Sequence, residues 1–351
     1  MIGEIIALLA VLTFVVSNVL FRRTERDASP AFINFFRTLI GTVTFIIVSI
    51  ILGIFTFIFL LPWFLWVVLF LSFLFGQVIG DTAYFKAQKE LGTTNALAVS
   101  MTFPLFTFIL SLIFLNRPFD YKIIFSIVLI GLGIVIIGRT KIIAVNNSSD
   151  LINSTIHHKK SSSYPSFKSI GYAIIASLGW AIGLVIIDYA TNQIDQILFT
   201  GGFSSIISNV IRFPFALLIL MIMVWRENRI TDSSEYLHSF KKPSRTWLLL
   251  LIASIIGTSL GAYLYTEAAR TAGAIVMSLL ASASPLFSLP LTYWLNKERI
   301  TKYGFLGVIS TILGVGIILI ELENTIFIWL TLIIAVNMII GDILILIKIY
   351  S

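Results

Sequence analysis

Two arginines stand where a bilayer makes charge expensive. Arg37 and Arg212 lie inside long apolar runs, and each has an asparagine three residues earlier, Asn34 and Asn209, on the same helix face. A guanidinium fork suits a carboxylate or phosphate, so these four residues are candidate substrate ligands in a cavity. The plainer alternative is a structural tie to backbone carbonyls, or a side chain that snorkels to the headgroups. Asp81, in Gly80-Asp81-Thr82, is placed to pair with Arg37 or to carry a coupling proton; capping a helix is its plain alternative. Tyr84, Tyr265 and Trp180 each offer a small organic substrate an apolar ring and one polar group, against a simple packing role. Pro104 and Pro285 read as mid-span prolines, which bend a helix and would serve as hinges. Glu4, Asp188 and Glu267 fall near the ends of apolar blocks and read as structural or interfacial acids, and Asn18 as a helix–helix hydrogen bond.

Other chemistry is excluded by what the chain lacks. It has no cysteine, so disulfides, thiolate catalysis and Cys-ligated metals are out. His157, His158 and His238 all lie in polar segments, leaving no intramembrane metal site. No Gly-x-x-x-x-Gly-Lys-Ser/Thr phosphate loop occurs, so ATP is not the direct energy source. No cofactor is expected. An intramembrane enzyme would need clustered His, Cys or carboxylates at one depth, and that cluster is missing.

The elements that must position these residues follow from composition. Hydrophobic residues make up 58% of the 351, charged residues 12%, and mean hydropathy is +1.00. A soluble protein carries about a quarter of its residues charged, whereas a membrane helix needs roughly 20 apolar residues in succession. Hydrophobic blocks fall at about 2–21, 31–54, 57–85, 93–115, 121–138, 168–190, 197–225, 246–266, 272–295, 302–320 and 325–347. They lack the period-two alternation of a membrane barrel. The fold class is therefore an all-α polytopic membrane protein, its first block read as a retained span rather than a signal peptide. The net charge of +7 is divided among short loops, so the lipid bilayer, not nucleic acid, is its partner.

The chain also repeats itself. At an offset of 181, Gly76, Gly80, Tyr84, Ala87, Gly92, Pro104, Leu105 and Phe106 meet Gly257, Gly261, Tyr265, Ala268, Gly273, Pro285, Leu286 and Phe287. Asn34 and Arg37 meet Asn209 and Arg212 at 175, and Phe14 meets Trp180 at 166. Gly131 and Gly133 meet Gly314 and Gly316 in the last span of each half. Five spans per copy is an odd number, so the second copy must enter the membrane from the opposite side, with a substrate site near the midplane between the halves. Placing the N-terminus outside puts 18 Lys and Arg in inner loops and three in outer ones, which the positive-inside rule favours. Sequons at Asn146, Asn147 and Asn153 in the central loop argue the other way, with less weight.

The ordered set Ala7…Ala10…Phe14, Arg22-Arg23, Asn34…Arg37, Gly80-Asp81…Tyr84…Ala87…Gly92 and Pro104-Leu105-Phe106, with its second copy, resembles the EamA-type transporters of the drug/metabolite transporter superfamily. The resemblance covers roughly 2–320. It implies one five-helix repeat over 1–138, a polar connecting loop over 139–167 and a second repeat over 168–320, around a central cavity. An additional C-terminal hydrophobic helix over 321–351 lies outside the pattern. Two other departures are an N-terminus that members keep cytoplasmic, and Leu115-Asn116-Arg117-Pro118 where an acid usually follows the fourth helix.

The resemblance implies a secondary transporter, often an exporter, for a small metabolite such as an amino acid-like solute, in the plasma or cell membrane. The alternative is a carrier or flippase for nucleotide sugars or lipid-linked, phosphorylated sugars. The candidate energy sources are a proton gradient or exchange against a counter-substrate.

Overall fold

In a computed structural model, residues 2–24, 27–91, 99–100, 102–118, 121–133, 135–136, 167–230, 242–284, 287, 302–319, 336–343 and 345–346 are described. Pro285 and Gly92, the central loop with its sequons, and most of the 325–347 block lie outside them. Among the described residues every regular element is helical. The order is α1 (Ile2–Arg22), α2 (Pro30–Ile51), a 3₁₀ turn (Phe55–Leu60), α3 (Trp63–Phe73), a π-helical segment (Leu74–Asp81) and α4 (Thr82–Leu91). Then come α5 (Phe103–Phe114), α6 (Tyr121–Gly133), α7 (Phe167–Leu198), α8 (Phe203–Ile230), α9 (Ser244–Ser254), a second π-helical segment (Ile255–Leu260), α10 (Gly261–Ser282) and α11 (Lys302–Leu319). Six of these helical runs are long and apolar enough to cross a membrane, and α5, α6 and part of α11 are shorter apolar helices.

The third block begins later than its hydropathy indicates. Pro62 takes an extended conformation ahead of α3, which therefore starts at Trp63, and the apolar residues before it form the 3₁₀ turn. The eighth and ninth blocks are joined in one helical run, Ser244–Ser282, broken at Gly273 with φ +86° and ψ 160°. Only glycine takes that backbone at little cost. Pro104 is not mid-span: it stands in the first turn of α5, where the N–H it lacks would have no intrahelical partner anyway.

Lipid is as apolar as leucine, so membrane helices associate through close packing rather than expulsion of water. The glycines show where this happens. A Cβ on Gly183 would lie 2.8 Å from Ser72 O, and one on Gly179 would lie 2.6 Å from Phe75 O, so α7 touches the α3–π segment backbone to backbone. Reciprocally, Gly261 lies against Thr13, Gly257 against Ser17 and Gly3 against Ala272, which runs α1 antiparallel along α9 and α10. Between these pairs α2 packs on α8, where Phe213 meets Phe45 and Phe73 at centroid distances of 4.9 and 4.7 Å. Ile51, Trp63 and Phe114 face outward, as lipid-facing positions should. The helical residues near 340 belong to the same body: Met338 and Ile339 pack against Leu129 and Ile317, and Ser310 donates to the buried Asp342.

Candidate functional site

α2 starts where Ser29 Oγ accepts from Phe32 N–H at 3.2 Å and Pro30 occupies the first turn. That start sets Asn34 and Arg37 on the inner face, 0% and 8% exposed. Arg37 Nε donates to Asn34 Oδ1 at 3.0 Å, while Asn34 Nδ2 donates to Gln77 O at 3.1 Å. Gln77 lies in the first π-helical segment, whose wider turn shifts carbonyls off the regular ladder and into reach of side chains. The same segment ends at Asp81. Its Oδ2 accepts from Arg37 Nη2, and its Oδ1 accepts from Trp180 Nε1 at 2.8 Å, so both carboxylate oxygens are engaged.

The second copy repeats the frame with other chemistry. The π-helical segment begins at Ile255, which is Leu74 plus the offset of 181. Arg212 Nη1 donates to Asn209 Oδ1 at 3.2 Å and to Thr266 Oγ1 at 3.3 Å, and Asn209 Nδ2 reaches Ala262 O at 3.5 Å. The position equivalent to Asp81 is Ala262. No described carboxylate pairs with Arg212; its guanidinium lies 4.8 Å from the Phe73 ring centroid, and its Nε, fully buried, finds no acceptor among the described residues.

Both arginines line one cavity of about 160 Å³, together with Asp81, Gln77, Trp180, Tyr265, Phe14, Phe73, Phe103 and Met277. The fold thus brings Arg37, Asp81, Trp180, Arg212 and Tyr265 together at a single cavity. Asn34 and Asn209 stand behind it and orient the two guanidinia. Tyr84 is 2% exposed and packs at a tilt of 48° against Trp180 at a centroid distance of 5.2 Å, outside the cavity wall. Pro104 is likewise absent from the lining, next to Phe103, which is present. Sequence reasoning missed Gln77, Phe73 and Thr266. A glutamine inside an apolar block was a readable signal for the first; the other two carry none.

A second set of polar groups closes the end of the bundle where α1 begins. Arg270 joins Asp195 at 2.7 Å and Glu267 at 2.6 Å, Ser205 donates to Glu267 at 2.7 Å, and Asp195 accepts from Gly201 N–H at 2.7 Å. Asp188 accepts from Ala274 N–H at 2.8 Å and from Asn192 Nδ2 at 2.9 Å, with Arg117 at 3.4 Å. It therefore caps the helical stretch that restarts after Gly273, from a neighbouring helix. Asp188 and Glu267 are 2% and 6% exposed. Both stand toward the end of the bundle, where the sequence placed them, but protein donors rather than water enclose them. At the opposite end Thr246 Oγ1 donates to Asp27 Oδ2 at 2.6 Å, and Lys242 donates to Asp27 O while standing 4.4 Å from the Phe32 ring. Partial burial holds the Lys242 ammonium below its ordinary pKa, and Asp27 opposes that shift. Among the described residues no group of His, Cys, Asp and Glu could hold a metal ion.

The sequence pattern of the EamA-like transporter family matches residues 1–139 and 167–320. The chain belongs to that family. An uncharacterized transporter of Archaeoglobus fulgidus is 21% identical over 325 residues, covering 91% of this chain and 98% of that one. A protein known by its crystal structure superposes with a TM-score of 0.66 at 13% identity, over 90% of this chain and 95% of its own, a likeness of fold alone. This EamA-like protein is thus an integral multi-pass membrane transporter. Its family match stops at residue 320, so the helical residues near 340 lie beyond the matched region.

Proposed function

We propose that this protein is a secondary transporter that moves a small metabolite by alternating access between two inverted five-helix repeats. The observation that carries the reading is the duplicated frame around one cavity. An Arg–Asn pair one helical turn apart meets a π-helical segment at equivalent positions in both halves. The reciprocal packing of α1 on α9–α10 and of α7 on α3 supports a pseudo-two-fold axis in the membrane plane. Rocking one half against the other would then open the cavity to either side at similar energy.

A compact metabolite is favoured over nucleotide sugars and lipid-linked sugars. The cavity is smaller than the roughly 300–1,000 Å³ that drug-sized ligands occupy, and Asp81 already holds one of the two arginines a diphosphate would need.

The test is counterflow in proteoliposomes, in which unlabelled metabolite pools drive accumulation of a radiolabelled member of the same pool. Accumulation that collapses when a disulfide between introduced cysteines locks α1 to α10 is the expected result. The chain's lack of native cysteine makes that lock specific. Accumulation that persists in the locked protein would dismiss alternating access.

A further inference from the structure

We infer that the solute is an organic monoanion with an apolar body, its carboxylate held by Arg212. This deepens the transporter reading and rests on it. The cavity carries two guanidinium groups and one carboxylate, hence one net positive charge. The two cations are not alike. Arg37 is neutralised by Asp81, whereas among the described residues Arg212, 6% exposed, has only neutral partners and keeps a buried Nε without an acceptor. An isolated charge in a membrane interior is costly, and such residues either pair or mark a pathway for a counter-charge. Among the described residues that counter-charge is missing, and the cargo supplies it.

The same geometry sets the cargo's other properties. A zwitterion would need a site for its ammonium, yet both oxygens of Asp81 already accept donors, from Arg37 and Trp180. A dianion would overcompensate the single free charge. Most of the wall is carbon, from Phe14, Phe73, Phe103, Trp180, Leu184 and Met277, so a hydrocarbon or aryl body fills the remainder and inorganic anions do not. With one monoanion bound, the occluded cavity is neutral, which is the condition for crossing a low-dielectric interior cheaply.

The experiment has a ligand-free arm and a ligand arm, both on the full-length protein in detergent. In the ligand-free arm, Ala262→Asp supplies the carboxylate that the first repeat has at Asp81, and Ala262→Asn is its uncharged control of equal size. Ala262→Asp is expected to melt several degrees above Ala262→Asn, and the difference is expected to vanish in an Arg212→Gln background. Equal melting of the two variants, or Asn above Asp, overturns the inference. In the ligand arm, monocarboxylates from lactate to decanoate and benzoate are compared with benzamide, L-phenylalanine, phenyl phosphate and chloride. At least one monocarboxylate is expected to raise the melting temperature saturably, with its dissociation constant weakened about tenfold or more in Arg212→Gln and in Ala262→Asp. No stabilisation by any monocarboxylate, equal stabilisation by benzamide or L-phenylalanine, or binding that survives Arg212→Gln, each overturns it. Counterflow separates the two readings: a neutral or zwitterionic solute exchanged equally by wild type and Arg212→Gln leaves the transporter standing and removes the monoanion.

Discussion

The Arg37–Asp81 pair should behave as a buried ion pair with unequal halves, and a double-mutant cycle can show it. The side chains are 10% and 13% exposed, so little solvent compensates either charge once its partner is gone. Replacing one member of such a pair by an apolar residue costs about 3–5 kcal/mol, whereas replacing both by apolar groups of similar volume is close to neutral. The cavity adds an asymmetry. Asp81→Leu leaves two guanidinia and no carboxylate around one cavity, and it also strands Trp180 Nε1, which now donates at 2.8 Å. Arg37→Met leaves one carboxylate and one guanidinium, Arg212, on the wall of the same cavity, with no net charge.

The Asp81→Leu variant is therefore expected at the upper end, about 4–5 kcal/mol, and Arg37→Met lower, about 2–3 kcal/mol, because part of the lost attraction is recovered. The double variant should return to within about 1–2 kcal/mol of wild type. The resulting coupling energy, about 4–7 kcal/mol, lies far above the roughly 0.5 kcal/mol within which independent sites add. Equilibrium unfolding in mixed micelles of increasing SDS fraction, followed by tryptophan fluorescence, reads all four proteins on one scale. Additive single effects, or Arg37→Met costing as much as Asp81→Leu, would refute the reasoning.

Three further outcomes follow from the same geometry. If Asp81 carries a coupling proton, Asp81→Asn should abolish uptake driven by a pH gradient while leaving counterflow intact, and full gradient-driven uptake in that variant removes the proton role. Gly273→Ala must hold φ +86° with ψ 160°, at a cost of about 1–3 kcal/mol, and Asp188→Ala should lose about 1 kcal/mol of capping. Both should speed amide exchange over 274–277 more than over 261–266, and uniform exchange would contradict the cap. The Arg270 cluster bridges α10 to the α7–α8 turn, so Arg270→Gln should raise maleimide labelling of Val11→Cys from the face where α1 begins; unchanged labelling would show that the cluster does not close that side.

What was legible in the sequence was whatever the membrane makes costly. Arg37, Arg212 and Asp81 stood out because charge inside an apolar block needs a reason, and they do meet at one cavity. Asn34 and Asn209 were legible through helical spacing, although their place is behind the wall rather than in it. The π-helical segments were not legible, because a shift of hydrogen-bond register leaves no mark on composition. The burial of Asp188 and Glu267 also escaped, since their enclosing donors include Ala274 and Ser205, 86 and 62 residues away in the chain. Pro104 misled because hydropathy gives the extent of a block and not where the helix inside it begins.

Tyr84 and Tyr265 show why duplication alone did not assign roles. They are equivalent by the repeat, yet one packs against Trp180 and the other lines the cavity beside Arg212. What differs is the neighbour. Phe14 stands where the second half has Trp180, Thr258 where the first has Gln77, and Thr266 where the first has Phe85. Arg37 accordingly faces a ring at 5.6 Å, while Arg212 donates to a hydroxyl at 3.3 Å in the equivalent place. Under the proposed alternating access, identities retained between the halves, such as Asn–Arg and the glycines, would build a frame that both orientations need, because each half would serve as the moving wall in turn. Differences between the halves cannot serve that symmetry, so they are where selectivity for a particular solute has to reside. Asp81 opposite Ala262 is the largest of them in charge, and it leaves one arginine satisfied and the other waiting.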